Sequence, residues 1–195
     1  SLTNDKARQE AIYKKTTELY PNDFRAYNNL GMMAYANGDF TTAENYFKQA
    51  ASKDANAPEV NTNLGYIELV KGNVANAETY LSKSTGANTA NEALGNLYIK
   101  QGQYDRAVQA FGDTKTNSAA LAQILAKDYN KAKNTLNAVK NPDAYTDYLM
   151  AIVGARTNNA DLVKTSMAKV AQKDATLAAK AQIDREFAKY ANEIK

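Results

Sequence analysis

Leu94-Gly95-Asn96-Leu97-Tyr98-Ile99-Lys100-Gln101-Gly102-Gln103-Tyr104-Asp105-Arg106-Ala107 is the stretch of this 195-residue chain that decides its fold. A second glycine, Gly102, follows Gly95 by seven residues; Tyr104 comes two later, Ala107 three after that, and Phe111 four further on. The same spacing occurs upstream in Leu64-Gly65, Gly72, Val74, Ala77 and Leu81, and again in Leu30-Gly31, Gly38, Phe40, Ala43 and Phe47. Three copies that agree at six places each mark an internal repeat, and a repeat outranks any local propensity as a guide to architecture.

The spacing has a helical reading. Leu30 and Gly31, with the residues one turn away, line one face of a helix over about Arg25 to Asn37. Gly38 then lets the backbone leave that helix through the left-handed region. Phe40 opens a second helix whose Ala43, Phe47 and Ala50 share its inner face. Gly31 and Ala43 stand where the two axes cross, because small residues allow close approach. One such hairpin cannot bury both of its apolar faces, whereas a stack of hairpins can.

These residues resemble the tetratricopeptide repeat family, whose signature runs Leu-Gly, tyrosine, Gly-x-Tyr, alanine and phenylalanine; Leu94 to Phe111 is nearly a consensus copy. The resemblance extends from Pro21 to about Phe111. It implies an all-α, right-handed superhelical solenoid of antiparallel helix pairs, about 12 helices in all, with a concave inner face. The expected organisation is a single domain over 1–195. It comprises a partial repeat at 4–20, clear repeats at 24–57, 58–87 and 88–112, and degenerate ones at 113–141 and 142–173. A C-terminal capping helix at 175–194 completes it.

The pattern decays toward the C-terminus. The residue that opens the second helix recurs at Phe40, Val74, Tyr104 and Tyr129, so the period shrinks from 34 to 30 to 25 residues. Gly86 and Gly112 are expected to end the second and third hairpins early. The fourth keeps Tyr129, Ala132 and Leu136 but has lost the Leu-Gly pair. In the last helix, Ala179, Ile183, Phe187, Tyr190 and Ile194 form an apolar stripe expected to pack back on the stack. Residues 4–19 read as the second half of a repeat whose first half is absent, and the chain as a portion of a longer precursor.

Composition excludes more than it offers. The chain has no histidine and no cysteine, which removes the commonest general base, the commonest metal ligand, thiol nucleophiles and thiolate zinc sites. Its net charge of +3 is spread without a basic run, against a nucleic-acid partner. No apolar stretch approaches the roughly 18 residues that cross a bilayer, against membrane insertion. Asp143 and Asp147, one turn apart at a helix start, read as capping residues. Asp54-Ala55-Asn56 lacks the glycine and late glutamate of a calcium loop. No enzyme activity, cofactor or metal is expected.

Tetratricopeptide domains bind extended peptides along their inner helices, and the resemblance therefore implies a protein or peptide partner. One branch captures a C-terminal carboxylate with lysine, arginine and asparagine side chains. The matching places here are Asn28, Met32, Asn63, Thr89 and Ala93, where only Asn63 fits. The concave face is expected to offer Asn28, Asn29, Met32 and Tyr35, then Glu59, Thr62, Asn63 and Tyr66, then Glu92, Asn96 and Lys100. Amides supply donors and acceptors, and tyrosines supply flat apolar area with a polar tip. The expected function is a scaffolding module within a larger bacterial protein. The alternative is a glycan or cell-wall binding module, since the same groups suit a sugar. The bacterial periplasm or cell envelope is favoured over the cytoplasm. Tyr13, Tyr46, Tyr80 and Tyr98 are expected to pack between helices.

Overall fold

The computed structural model describes residues 2–84 and 88–194. Twelve α-helices follow one another among them: α1 (Leu2–Leu19), α2 (Phe24–Ala36), α3 (Phe40–Lys53), α4 (Pro58–Val70), α5 (Val74–Ser82), α6 (Asn88–Lys100), α7 (Tyr104–Phe111), α8 (Asn117–Leu125), α9 (Tyr129–Asn137), α10 (Ala144–Arg156), α11 (Ala160–Lys173) and α12 (Ala175–Ala181). A 3₁₀ helix over Arg185–Tyr190 ends the series, and no strand occurs among the described residues. The helix end expected at Gly86 lies outside the described residues. The chain divides into two compact units, Ser1–Leu94 and Gly95–Lys195.

In the first unit α1 packs on α2, α2 on α3, α3 on α4 and α4 on α5. The Leu-Gly glycines explain how the pairs close. A Cβ placed on Gly31 would lie 2.5 Å from the Phe47 ring, and one on Gly65 would lie 2.7 Å from Leu81. The large side chain of the second helix thus fills the space that a methyl group would need on the first. Phe47 is buried with Ala43, Ala50, Val60, Leu64 and Ile67 in the core of this unit. In the second unit Gly95 meets Phe111 in the same way, its Cβ position 2.5 Å from the ring.

The turn between paired helices is one structure used five times. Gly38, Gly72, Gly102, Lys127 and Asn158 have φ of 79°, 77°, 72°, 64° and 55°. In each case the next residue's N–H (Asp39, Asn73, Gln103, Asp128, Asn159) donates to the carbonyl five residues earlier, at 2.8–3.0 Å. Aligned on this turn, Ala120 and Ala151 take the place of Gly31, while Leu136 and Met167 take that of Phe47. Ala120 and Leu136 share one buried cluster with Ile124, Ala132 and Leu149; Ala151 and Met167 share another with Val163 and Val170.

Glu68 shows how a charge is accommodated at such a turn. Its buried carboxylate accepts from Asn73 at 2.9 Å, Asn76 at 3.3 Å and Lys71 at 3.1 Å, and Lys71 also reaches Glu44 at 3.1 Å. These bonds, led by that from Asn73, hold its pKa below the ordinary carboxylate value despite burial. Asp143 caps α10 in a reciprocal box with Thr146. Asp147 instead pairs with Lys173 at 2.7 Å, so only the first of the two aspartates serves as a cap. Tyr98 is buried; Tyr13, Tyr46 and Tyr80 are half-buried.

The C-terminal segment departs from a single helix over 175–194. α12 stops at Ala181, and Asp184, at φ −75° and ψ 126°, caps the 3₁₀ helix through the Glu186 amide. The break shifts the register of the apolar stripe. Phe187, Tyr190 and Ile194 are buried, whereas Ala179 is exposed and Ile183 is 85% exposed.

Two substitutions test this packing. Phe47→Ala should lower the free energy of unfolding by about 3–5 kcal/mol through the cavity it leaves, as read from urea denaturation. Lys127→Gly should raise it by roughly 0.5–1 kcal/mol, because glycine relieves the left-handed strain at some cost in unfolded-state entropy. A loss of stability from Lys127→Gly would mean the lysine side chain outweighs its backbone.

Candidate functional site

The first helices of neighbouring pairs place their amide and tyrosine side chains together within the first unit. Asn63 on α4 donates from Nδ2 to Oδ1 of Asn28 on α2 at 2.8 Å. The Asn28 Nδ2 has a soft acceptor, the Met32 sulfur at 3.8 Å, while Met32 itself is 51% exposed. One turn after Asn63, the Tyr66 hydroxyl donates to the Thr89 carbonyl at 3.3 Å. Tyr35 braces this row from α2, its ring edge-on to Phe40 with centroids 5.2 Å apart.

The electrostatics of the patch are those of neutral groups beside a carboxylate. Tyr66 is half-buried, and its pKa is pushed above the ordinary tyrosine value, first by burial, then by the Glu92 carboxylate and by Tyr35. Glu92 thus lies close enough to Tyr66 to act on it, and Glu59 is exposed in the first turn of α4.

Of the expected residues, Asn28, Met32, Tyr35, Asn63, Tyr66 and Glu92 form this one neighbourhood. Asn28 is only 6% exposed and acts through its bond to Asn63. Thr62 is buried, its hydroxyl donating to the Pro58 carbonyl at 2.8 Å, which leaves it no face toward a ligand. Asn29 is turned toward α1, where it lines a groove with Ile12, Tyr13 and Thr16. Asn96 is half-buried and Lys100 exposed, both in the second unit. The sequence reading missed Phe40 as the brace of Tyr35 and the Thr89 carbonyl as the partner of Tyr66. The Tyr35–Phe40 spacing was the only available signal for the first. Among the described residues no group of three or more acidic, histidine or cysteine side chains could hold a metal ion. No described helix is long and apolar enough to cross a membrane.

Three tetratricopeptide repeat models match the sequence, over residues 29–92, 12–45 and 92–115. Together with the repeated turn and the glycine-to-ring packing, they settle the family. The chain belongs to the tetratricopeptide repeat family. Its structure is similar to that of Pseudomonas aeruginosa PilF, with a TM-score of 0.74 at 12% identity over 98% of this chain and 91% of that one. PilW, described as a widely conserved type IV pilus biogenesis factor, aligns with a TM-score of 0.64 at 18% identity, over 96% of this chain and 91% of its own. YrrB, described as a tetratricopeptide repeat protein with an unusual peptide-binding site, aligns with a TM-score of 0.66 at 18% identity, over 86% and 97%. At these identities the likeness is one of fold. No curated protein matches the sequence. Tetratricopeptide repeat proteins generally serve as protein-interaction scaffolds, and that is the coarse functional class of this chain.

The raised pKa of Tyr66 gives a pH test. The unfolded chain ionises this tyrosine near pH 10 and the folded chain only at higher pH. Its contribution to stability is therefore complete below pH 10 and is lost as pH rises through the folded pKa. Glu92→Gln should bring the Tyr66 titration, followed by ultraviolet difference absorbance against a Tyr66→Phe reference, to lower pH. A titration unmoved by Glu92→Gln would mean that burial alone sets it.

Proposed function

We propose that the Asn28–Asn63–Tyr66 face holds an extended peptide segment of a protein partner, on the concave side of the stack. The supporting observation is the bridged amide pair. Its internal bond uses one Asn63 N–H and the Asn28 carbonyl, leaving the Asn63 carbonyl and the second Asn63 N–H for a ligand. One acceptor and one donor held side by side complement the N–H and C=O of a peptide backbone. The bridge also fixes both side chains before binding, which lowers the ordering cost. Met32 and the rings of Tyr35 and Tyr66 give apolar area for side chains, and Glu92 with Glu59 favours a basic residue in the peptide.

The likeness to PilW, described as a type IV pilus biogenesis factor, supports an envelope-associated assembly in a bacterium as the setting, and that to YrrB supports peptide capture. A fluorescent peptide library with lysine or arginine at varied positions should give binders, titrated against the purified chain. Tyr66→Ala should leave stability within about 1 kcal/mol while weakening such a peptide by about tenfold or more. Muropeptides and oligosaccharides form the second arm of the titration. Saturable binding there, with no peptide bound, would replace this reading with the glycan one.

A further inference from the structure

Within the second unit, α9, α10 and α11 border a cavity of about 240 Å³. Counted from the left-handed residue of each turn, Ser166 in its wall takes the place of Tyr80, which packs on the core of the first unit. Serine carries no ring to fill that space. Ser166 is 3% exposed, yet its hydroxyl makes no hydrogen bond among the described residues. Its neighbour Thr165 shows the usual use of a helix hydroxyl, donating to the Asp161 carbonyl at 2.8 Å. The Ser166 oxygen is not sealed in the core either, and the little surface it keeps belongs to the cavity wall.

The charge in the wall is positive. Lys133 on α9 and Lys169 on α11 both line the cavity, and neither has an ion-pair partner among the described residues. Asp147, the carboxylate in the wall, is committed to Lys173 at 2.7 Å. Residues 95–195 carry 15 lysines and arginines against 10 aspartates and glutamates, so the field of this unit draws anions. We propose that the cavity binds a phosphate monoester, as a free small molecule or as a lipid headgroup. Such a group carries a charge of about −1.5 to −2 at pH 7, which the two lysines match. The Ser166 hydroxyl and the Asn137 amide supply neutral donors for its oxygens. Met150 and Leu162 give apolar surface for the first carbons of the ester. The volume lies below the roughly 300 Å³ at which drug-sized pockets begin, so it suits a phosphoryl group with a few carbons. None of these residues belongs to the Asn28–Asn63–Tyr66 face, so the site stands independently of peptide capture.

Glycerol 3-phosphate is the soluble probe, titrated calorimetrically into the whole chain at low salt and about pH 7.5. Binding should saturate with Kd between ~0.1 and ~5 mM. Near pH 5 the ester has lost most of its second charge, and binding should weaken by about threefold or more. Lys133→Gln and Lys169→Gln should each weaken it at least about tenfold, and Ser166→Ala about fivefold, with the urea midpoint of unfolding unchanged in all three. Vesicles containing phosphatidic acid, sedimented with the chain, tell the two sources apart. Retention on them that both lysine variants abolish would mark a headgroup, and glycerol 3-phosphate binding without retention a soluble ligand. Failure of both probes to bind, binding that survives all three substitutions, or acetate held as tightly as glycerol 3-phosphate would overturn the proposal.

Discussion

Each of the first three full pairs closes where a side chain of the second helix occupies the space that a Cβ would need on the first. Gly31 under Phe47, Gly65 under Leu81 and Gly95 under Phe111 are the three occurrences. Everything else in a pair is set by that contact. It fixes the distance between the axes, and with it which residues of the first helix face a neighbour and which are left open. The left-handed turn then has one job, to bring the second helix back at that distance, and its hydrogen bond recurs at all five turns.

This is why the N-terminal half was legible in the sequence and the C-terminal half less so. A glycine under a phenylalanine cannot be replaced without moving a helix, so the pair leaves a recognisable trace at fixed spacing. In the fourth and fifth pairs alanine stands at 120 and 151 opposite Leu136 and Met167, and alanine is too common in this chain to stand out. The turn likewise tolerates Lys127 and Asn158 at a modest cost in backbone energy, so the glycine that announces it upstream disappears. The last segment misled for a different reason. Ala179 and Ile183 continue a helical period that the backbone abandons at Asp184, and periodicity carries no record of a cap that restarts the count.

The site was legible in its members more than in their roles. Asn28, Asn63 and Tyr66 lie together as spacing implies, but the sequence could not distinguish an amide that faces a ligand from one that braces its neighbour. Another polar residue stands directly beside each of these amides, Asn29 after Asn28 and Thr62 before Asn63. Thr62 spends its hydroxyl on its own helix, and Asn29 faces α1. A 100° step around a helix separates these outcomes, and only the packed structure shows which side of the step each residue falls on.

The covering of the α10–α11 pair bears on polymerisation. An interface that repeats by translation along a stack is heterologous, and chains that expose both halves of such an interface can join head to tail without limit. Here the C-terminal half is withdrawn. The Tyr148 hydroxyl donates to Asp184, the Arg156 guanidinium forks onto Glu186 at 2.7 and 3.0 Å, and Phe187, Tyr190 and Ile194 are folded down onto the last pair. That closure covers the apolar surface of α10 and α11, so the face on which a further helix pair could stack is already occupied.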